Sequence, residues 1–318
     1  MRRLPLLLVL LVLPLPASAT AASHHVLLGV FGSPGRFRAQ TGQRSQIRQT
    51  FMGFNHRYIK GAIATLGPIP LLALTSGAYG QRETASPRAI ATGRIDGFLV
   101  RLNEAIAGWP GPRFYLRPFP EMNAYWENVC AYNVNGTRRD SAHSTSWTRK
   151  AFARIAILAR GGTADEMNAK LSRLGLPGVR VDLEPTQPKL RVVWNPQGFG
   201  APRVAGNSAA AYFPGNAYVD VVGDDLYDKA GHGAEWAAAE ALYRAHRAKP
   251  FAIPEWGMWG FDDPTYVSQM ARFIRTHARL EFVSYYSAGA GSRFDLATKP
   301  RARVVYRRQI VPLGTTLP

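Results

Sequence analysis

The sequence predicts a single (β/α)8 barrel. Short apolar, β-rich runs alternate with amphipathic helical stretches along the chain, the pattern of a parallel α/β fold. Eight such runs can be counted. Two of them end in Pro-Glu beside aromatic residues, and a barrel carries its chemistry at the C-terminal ends of its strands.

In order, the runs are Val26 to Gly32, a second near Thr50 to Tyr58, Ile69 to Ser76, Arg113 to Phe119, Leu190 to Asn195, Tyr218 to Tyr227, Pro250 to Pro254 and Glu281 to Ser287. Helices are expected between them. Ile95, Phe98, Leu99 and Leu102 recur at i, i+3, i+4, i+7, one face of a helix. So do Phe152, Ile155, Ala156 and Ala159, behind a Ser/Thr run ending at Ser146 that can cap the helix. Ala239, Leu242, Tyr243 and His246 repeat the spacing. Tyr266, Met270, Phe273 and His277 do so after Asp263-Pro264, an N-cap followed by proline at the first helical position.

An apolar content of 46% in 318 residues supports a substantial core. Arg2 and Arg3, the apolar run Leu4 to Leu15 and Ala17-Ser18-Ala19 read as a signal peptide over residues 1–19, which makes secretion or periplasmic export the expectation. Residues 20–318 then form one domain, since no linker, charge block or repeat divides them, and a monomer is expected. No later segment is apolar enough for a transmembrane helix. The single cysteine, Cys130, permits no internal disulfide and reads as a buried small hydrophobe. The formal charge of +18 favours anionic surfaces such as a cell-envelope polymer. No nucleic-acid-binding motif accompanies it, so nucleic acid is not an expected partner.

The two Pro-Glu ends carry the chemistry. In "YLRPFPEMNAYW" the fourth run ends on Glu121, and in "KPFAIPEWGMWG" the seventh ends on Glu255. In a closed barrel both ends lie on one rim. Two facing carboxylates can perform glycoside hydrolysis, one protonating the leaving oxygen and the other attacking the anomeric carbon. Neighbouring aromatics would stack on sugar rings, and Trp126 and Trp256, beside the acids, are the residues expected to do so. Trp147 and Trp236 are assigned to helix packing. This chemistry calls for no cofactor and no metal.

Along most of its length the chain resembles glycoside hydrolase family 26, the β-mannanases, within the clan of retaining (β/α)8 hydrolases. The family's strand-four pattern is matched by Arg117-Pro118-Phe119-Pro120-Glu121-Met122-Asn123-Ala124-Tyr125-Trp126, its strand-six pattern by Val219 to Tyr227, its strand-seven pattern by "IPEWG", its fifth strand by "VVWNP" and its eighth by "YYSAGAGSRFDL". The resemblance implies Glu121 as acid/base, Glu255 as nucleophile, Tyr227 as a hydrogen-bond donor to it, and Trp126 as a stacking platform. Arg117, Asn123, Trp256 and Tyr285 complete the expected substrate-binding set. It also implies a polysaccharide substrate cleaved by double displacement. Pro120 stands where the family has a His that helps bind sugar, and Ala124 where it has Gly. Proline offers no side-chain donor and no backbone N–H, so weak or absent activity on plain β-mannan is expected, with better activity on another β-linked glycan. The competing class is a non-catalytic glycan- or wall-binding barrel derived from such an enzyme.

Other features receive plainer readings. Asp182 and Glu184 in "VRVDLEP" resemble the Asp-x-Glu of chitinase-like barrels, but no further upstream acid is present, and an insertion with exposed acids is expected. His24-His25 lacks a third metal ligand. Asp224-Asp225 and Asp262-Asp263 read as caps or ion pairs as readily as a cation site. Asn135-Gly136-Thr137 is a glycosylation sequon wherever the host glycosylates.

Overall fold

The computed structural model describes residues 24–77, 80–229 and 235–317. The signal-peptide reading of residues 1–19 lies outside them. The strands are β1 (Val26–Gly32), β2 (Ile47–Gly53), β3 (Ile69–Thr75), β4 (Phe114–Pro118), β5 (Leu190–Trp194), β6 (Val221–Gly223), β7 (Leu226–Lys229), β8 (Phe251–Trp259), β9 (Leu280–Ala288) and β10 (Gly314–Thr315). All pairings between them are parallel. Neighbours run β1-β2-β3-β4-β5-β6-β8-β9, and β9 returns to β1, closing an eight-stranded barrel. The sixth expected run is two pieces of one barrel strand. β6 and β7 both pair with β8, and the break falls at Asp224-Asp225, whose side chains bond elsewhere.

The helices are α1 (Pro34–Thr41), α2 (Ile59–Ala64), α3 (Pro87–Ala91), α4 (Asp96–Ala107), α5 (Thr145–Arg160), α6 (Ala164–Arg173), α7 (Trp236–Ala245), α8 (Pro264–Thr276) and α9 (Pro300–Val305). Ser144, within the expected Ser/Thr run, caps α5 by accepting from Trp147 N at 3.1 Å. Asp263 caps α8 with Pro264 at its first position, as the sequence predicts. The segment Val179 to Pro185 forms no strand. Asp182 and Glu184 are exposed on an insertion before β5, as expected.

Alternation along the strands divides the hydrophobic side chains into two cores. A small one inside the barrel joins Leu27, Ile47, Ile69, Leu71, Tyr115, Val193, Val221, Ala252 and Phe282. A large one lies between the strands and the helical layer. Inside the barrel the side chains form tiers. Leu27, Ile47, Tyr115 and Phe282 close the bottom. Two residues further along each strand stand Gly29, Gln49, Arg117 and Ser284, and on three strands a further two bring Phe31, Phe51 and Tyr286 to the rim. The inner tier is crowded. A Cβ at Gly29 would lie 2.9 Å from Ser284 Cβ and 3.0 Å from Ile47 Cβ. The floor of the site is therefore polar, the base beneath it apolar and the mouth aromatic.

Candidate active site

A cleft of about 740 Å³ opens at the C-terminal rim. Its walls include Glu121, Glu255, Trp126, Gln197, Phe199, Tyr227, Lys229, Trp259 and Tyr286. The two acids singled out in the sequence therefore meet in one cavity.

Glu255 stands in β8 and is nearly buried. Its Oε1 accepts from Arg117 Nη1 at 2.5 Å and from Gln49 Nε2 at 2.9 Å, and its Oε2 accepts from Tyr227 OH at 2.6 Å. Three donors, one of them cationic, fix its orientation. Burial and the charge of Glu255 raise the Tyr227 phenol well above its ordinary range, so it remains a donor. Arg117, fully buried in β4, also donates through Nη2 to Asp225, in the break between β6 and β7. One guanidinium thus ties β4, β7 and β8 together beneath the cleft.

Glu121 is held differently. The chain leaves β4 through Phe119 at φ 52° and Glu121 at φ 53°, both in the left-handed region that non-glycine residues occupy at a cost of about 1–3 kcal/mol. The turn is pinned by Phe119 N donating to Leu74 O at 2.9 Å and Glu121 N donating to Asn195 O at 2.8 Å. Its carboxyl accepts from Trp126 Nε1 and Gln197 Nε2, both neutral donors. Burial, then the charge of Glu255, push its pKa above the ordinary carboxylate range. Glu127 and Asp224, close by, are pushed well above it as well, first by burial. With five acids around a single buried guanidinium, the arrangement favours a proton on Glu121.

The expected aromatic contacts divide. Trp126 lines the cleft, with its indole N–H tied to Glu121. Trp256 does not. It is fully buried against Tyr266, Tyr285 and Tyr306, because alternation along β8 turns it to the helical side while Glu255 points inward. Tyr285 faces the same core and donates to Phe294 O at 2.9 Å. Asn123 is also buried. Its Oδ1 accepts from Gln197 N at 2.7 Å, so it sets the loop that carries Gln197 and touches no cleft. Arg117 likewise serves Glu255 from below. These four expected substrate contacts therefore lie behind the cleft wall.

In their place stand residues the sequence reading passed over. Trp259, 38% exposed, and Tyr286 lie at strand ends and line the cleft. Lys229 Nζ sits 5.8 Å from the Trp126 ring centroid and 5.1 Å from that of Trp259, a cation between two indole rings. Phe31 stacks on Tyr286 at 4.5 Å and extends the aromatic rim toward β1 and Phe51. Period-two counting from Glu255 would have kept Trp256 outside the barrel and brought the chain on to Trp259 at the strand's end. Gln49 and Gln197 carried no such signal.

Elsewhere the readings of Cys130, Trp147, Trp236 and Asp262 hold. Cys130 is buried beside Asn207 and Tyr212. Trp236 packs on Tyr266 and Phe273, and Trp147 packs against the large core. Asp262 accepts from Arg301 N and Ala302 N at the start of α9. His24 bonds Leu280 O at 2.7 Å.

No protein-family model matches the chain, and no curated protein matches it. Solved structures do. Bacillus subtilis mannanase BCman is 18% identical over 91% of this chain and 87% of its own, with a TM-score of 0.57. A Cellulomonas fimi endo-β-1,4-mannanase double mutant is 16% identical over 88% and 70%, with a TM-score of 0.57. A β-mannanase from a symbiotic protist of the termite Reticulitermes speratus, complexed with gluco-manno-oligosaccharide, is 14% identical over 92% and 88%, with a TM-score of 0.54. The fold is that of the glycoside hydrolase family 26 mannanases. On that fold Glu121, just past the end of β4, and Glu255, within β8, share one cleft.

Proposed function

We propose that the protein is a retaining glycoside hydrolase that cleaves a β-linked polysaccharide, acting as a secreted monomer outside the cytoplasm. The observation that carries this reading is the unequal support of two carboxyls in one cleft. Glu255 has a guanidinium, an amide and a phenol as donors, while Glu121 has only neutral donors and a raised pKa. In this reading Glu255 attacks the anomeric carbon. Tyr227, Gln49 and Arg117 orient its oxygens. Glu121 donates its proton to the departing glycosidic oxygen. Once the negative charge at Glu255 has been consumed in the glycosyl ester, the repulsion that raised the pKa of Glu121 is gone, its pKa falls, and as a carboxylate it takes a proton from the incoming water. Trp126 and Trp259 supply apolar faces for sugar rings on either side of the bond. The mannanase-type fold supports a mannan-related backbone, and Pro120 supports a substrate other than plain β-mannan.

The reading is tested by turnover of a panel of β-linked polysaccharides, with the first-formed anomer followed by proton NMR. A β-anomer is expected. An α-anomer would replace the nucleophilic role of Glu255 with that of a general base. No turnover on any member, with sugar binding intact, would favour a glycan-binding barrel instead.

A further inference from the structure

The charge of the chain is unevenly placed. No Asp or Glu occurs in residues 24–82 or 296–317, and these two stretches carry twelve Lys and Arg. The 213 residues between them carry 25 cations and 21 acids, an ordinary mixture. Folding brings the two acid-free stretches together. Arg307 Nε donates to Gln40 O at 2.8 Å and Tyr306 OH to Gln43 Oε1 at 2.5 Å, so α1 and the turn that follows α9 stand side by side on the outer layer. Among the described residues, only Arg36 and Arg301 of the twelve have an ion-pair partner, Asp295 and Asp262 respectively. Arg38, Arg44, Lys60, Arg307 and Arg308 are exposed.

Packing so many like charges on one face opposes folding through self-repulsion, and interspersed acids relieve that elsewhere on this molecule. None of the cavities described for this molecule is lined by these exposed cations, so the geometry suits an extended polyanion rather than an enclosed small molecule. The face is rich in Arg, whose planar fork matches carboxylates. Its well-exposed apolar side chains, Tyr58 and Val304, are too few for the apolar face of a membrane-bound surface. We propose that the surface formed by α1, α2 and α9 with the turn that follows it binds an acidic polysaccharide through its uronate carboxylates, away from the cleft. The choice of a polysaccharide rests on the glycan reading of the cleft. The surface would hold the protein on an acidic matrix while the cleft works on its own substrate.

The test is affinity gel electrophoresis of the full chain in gels containing polygalacturonate, neutral galactomannan or no polymer. The surface variant R38Q/R44Q/K60Q/R308Q is compared with R94Q/R101Q/K170Q/R173Q, which removes the same charge from exposed positions on the rest of the surface. The parent is expected to be retarded more strongly by polygalacturonate than by galactomannan, with the polygalacturonate retardation lost near about 0.3 M salt. The surface variant should bind at least about tenfold more weakly, and the comparison variant within about twofold of the parent. Equal weakening of both variants would reduce the effect to net charge and overturn the proposal. So would an unretarded parent, or tighter binding to duplex DNA or anionic vesicles. Glu255→Gln should be retarded as the parent is, because binding here needs no turnover. A failure of the hydrolase reading would therefore show in the turnover panel and leave the retardation unchanged.

Discussion

Replacing Arg117 by Met would test whether one guanidinium organises the floor of the cleft. The side chain is wholly buried, with Glu255 on Nη1 and Asp225 on Nη2. Glu255 would keep Gln49 and Tyr227 as donors. Asp225 would keep no side-chain donor among the described residues, since its Oδ1 already has no partner. Unit charges about 4 Å apart interact by about 4 kcal/mol at an effective dielectric near 20. Removing one partner from a buried pair costs about 3–5 kcal/mol, chiefly by stranding the other. In a chain of this length each kcal/mol shifts Tm by about 2 °C, so a fall of about 6–10 °C is expected at pH 7. The sign of the pH dependence follows. Burial already raises the pKa of Asp225, and Arg117 draws it back down. Without Arg117 the folded-state pKa climbs further above the unfolded value near 4. A carboxyl raised in this way contributes stability that is fully present below its unfolded pKa and lost as pH rises through its folded pKa. The deficit of the variant should therefore be widest near neutrality and shrink toward about pH 4. Thermal unfolding followed by circular dichroism from about pH 4 to 8 reads both quantities. A deficit below about 1 kcal/mol, or one that stays constant with pH, would refute this account of the floor.

Glu121→Gln should abolish the alkaline limb of the kcat/KM profile, since that limb reports loss of the proton from a group whose pKa is raised, and it should spare substrates with good leaving groups; an unchanged limb would move the acid role elsewhere. Trp259→Ala should raise KM for an oligosaccharide about 3–10-fold with little change in Tm, whereas Trp256→Ala should cost about 3–5 kcal/mol of stability, and reversal of the two phenotypes would contradict their placement. Pro120→His should fold, because the flanking N–H groups of Phe119 and Glu121 pin the turn, and it should improve turnover of plain β-mannan by a factor consistent with about 1–3 kcal/mol. Strong mannanase activity in the unmodified protein would remove the argument from Pro120.

The barrel was legible because most of its strands are continuous apolar runs, the mark of strands buried on both faces. Where a strand carries polar side chains inward, the signal failed. β2 holds Gln49 inside, so its run reads as polar and the expected segment began three residues late. β6 and β7 were expected as one strand, because nothing local announces that Asp224 and Asp225 turn away to bond Gly198 N and Arg117. The two catalytic candidates were legible because each closes an apolar run. The contacts to sugar were less so. Adjacency to an acid in sequence selected Trp256, although adjacent residues on a strand face opposite ways. Gln197 reaches Glu121 across 76 positions, a meeting that only the closed barrel creates.

The tiers inside the barrel bear on how such a protein could be retargeted by directed evolution. Floor residues are bonded in series: Ser284 to Gln49, Gln49 to Glu255, and Glu255 to Arg117 and Tyr227. A random change at any of them breaks at least one buried bond, and a single step has no ready replacement. The mouth is built from rings that touch edge to face, with Phe199, Trp259 and Tyr286 facing open space. Those positions can vary one at a time without opening the floor. A library confined to them would explore new sugars at little risk to folding, whereas one aimed at the floor would mostly return unfolded clones.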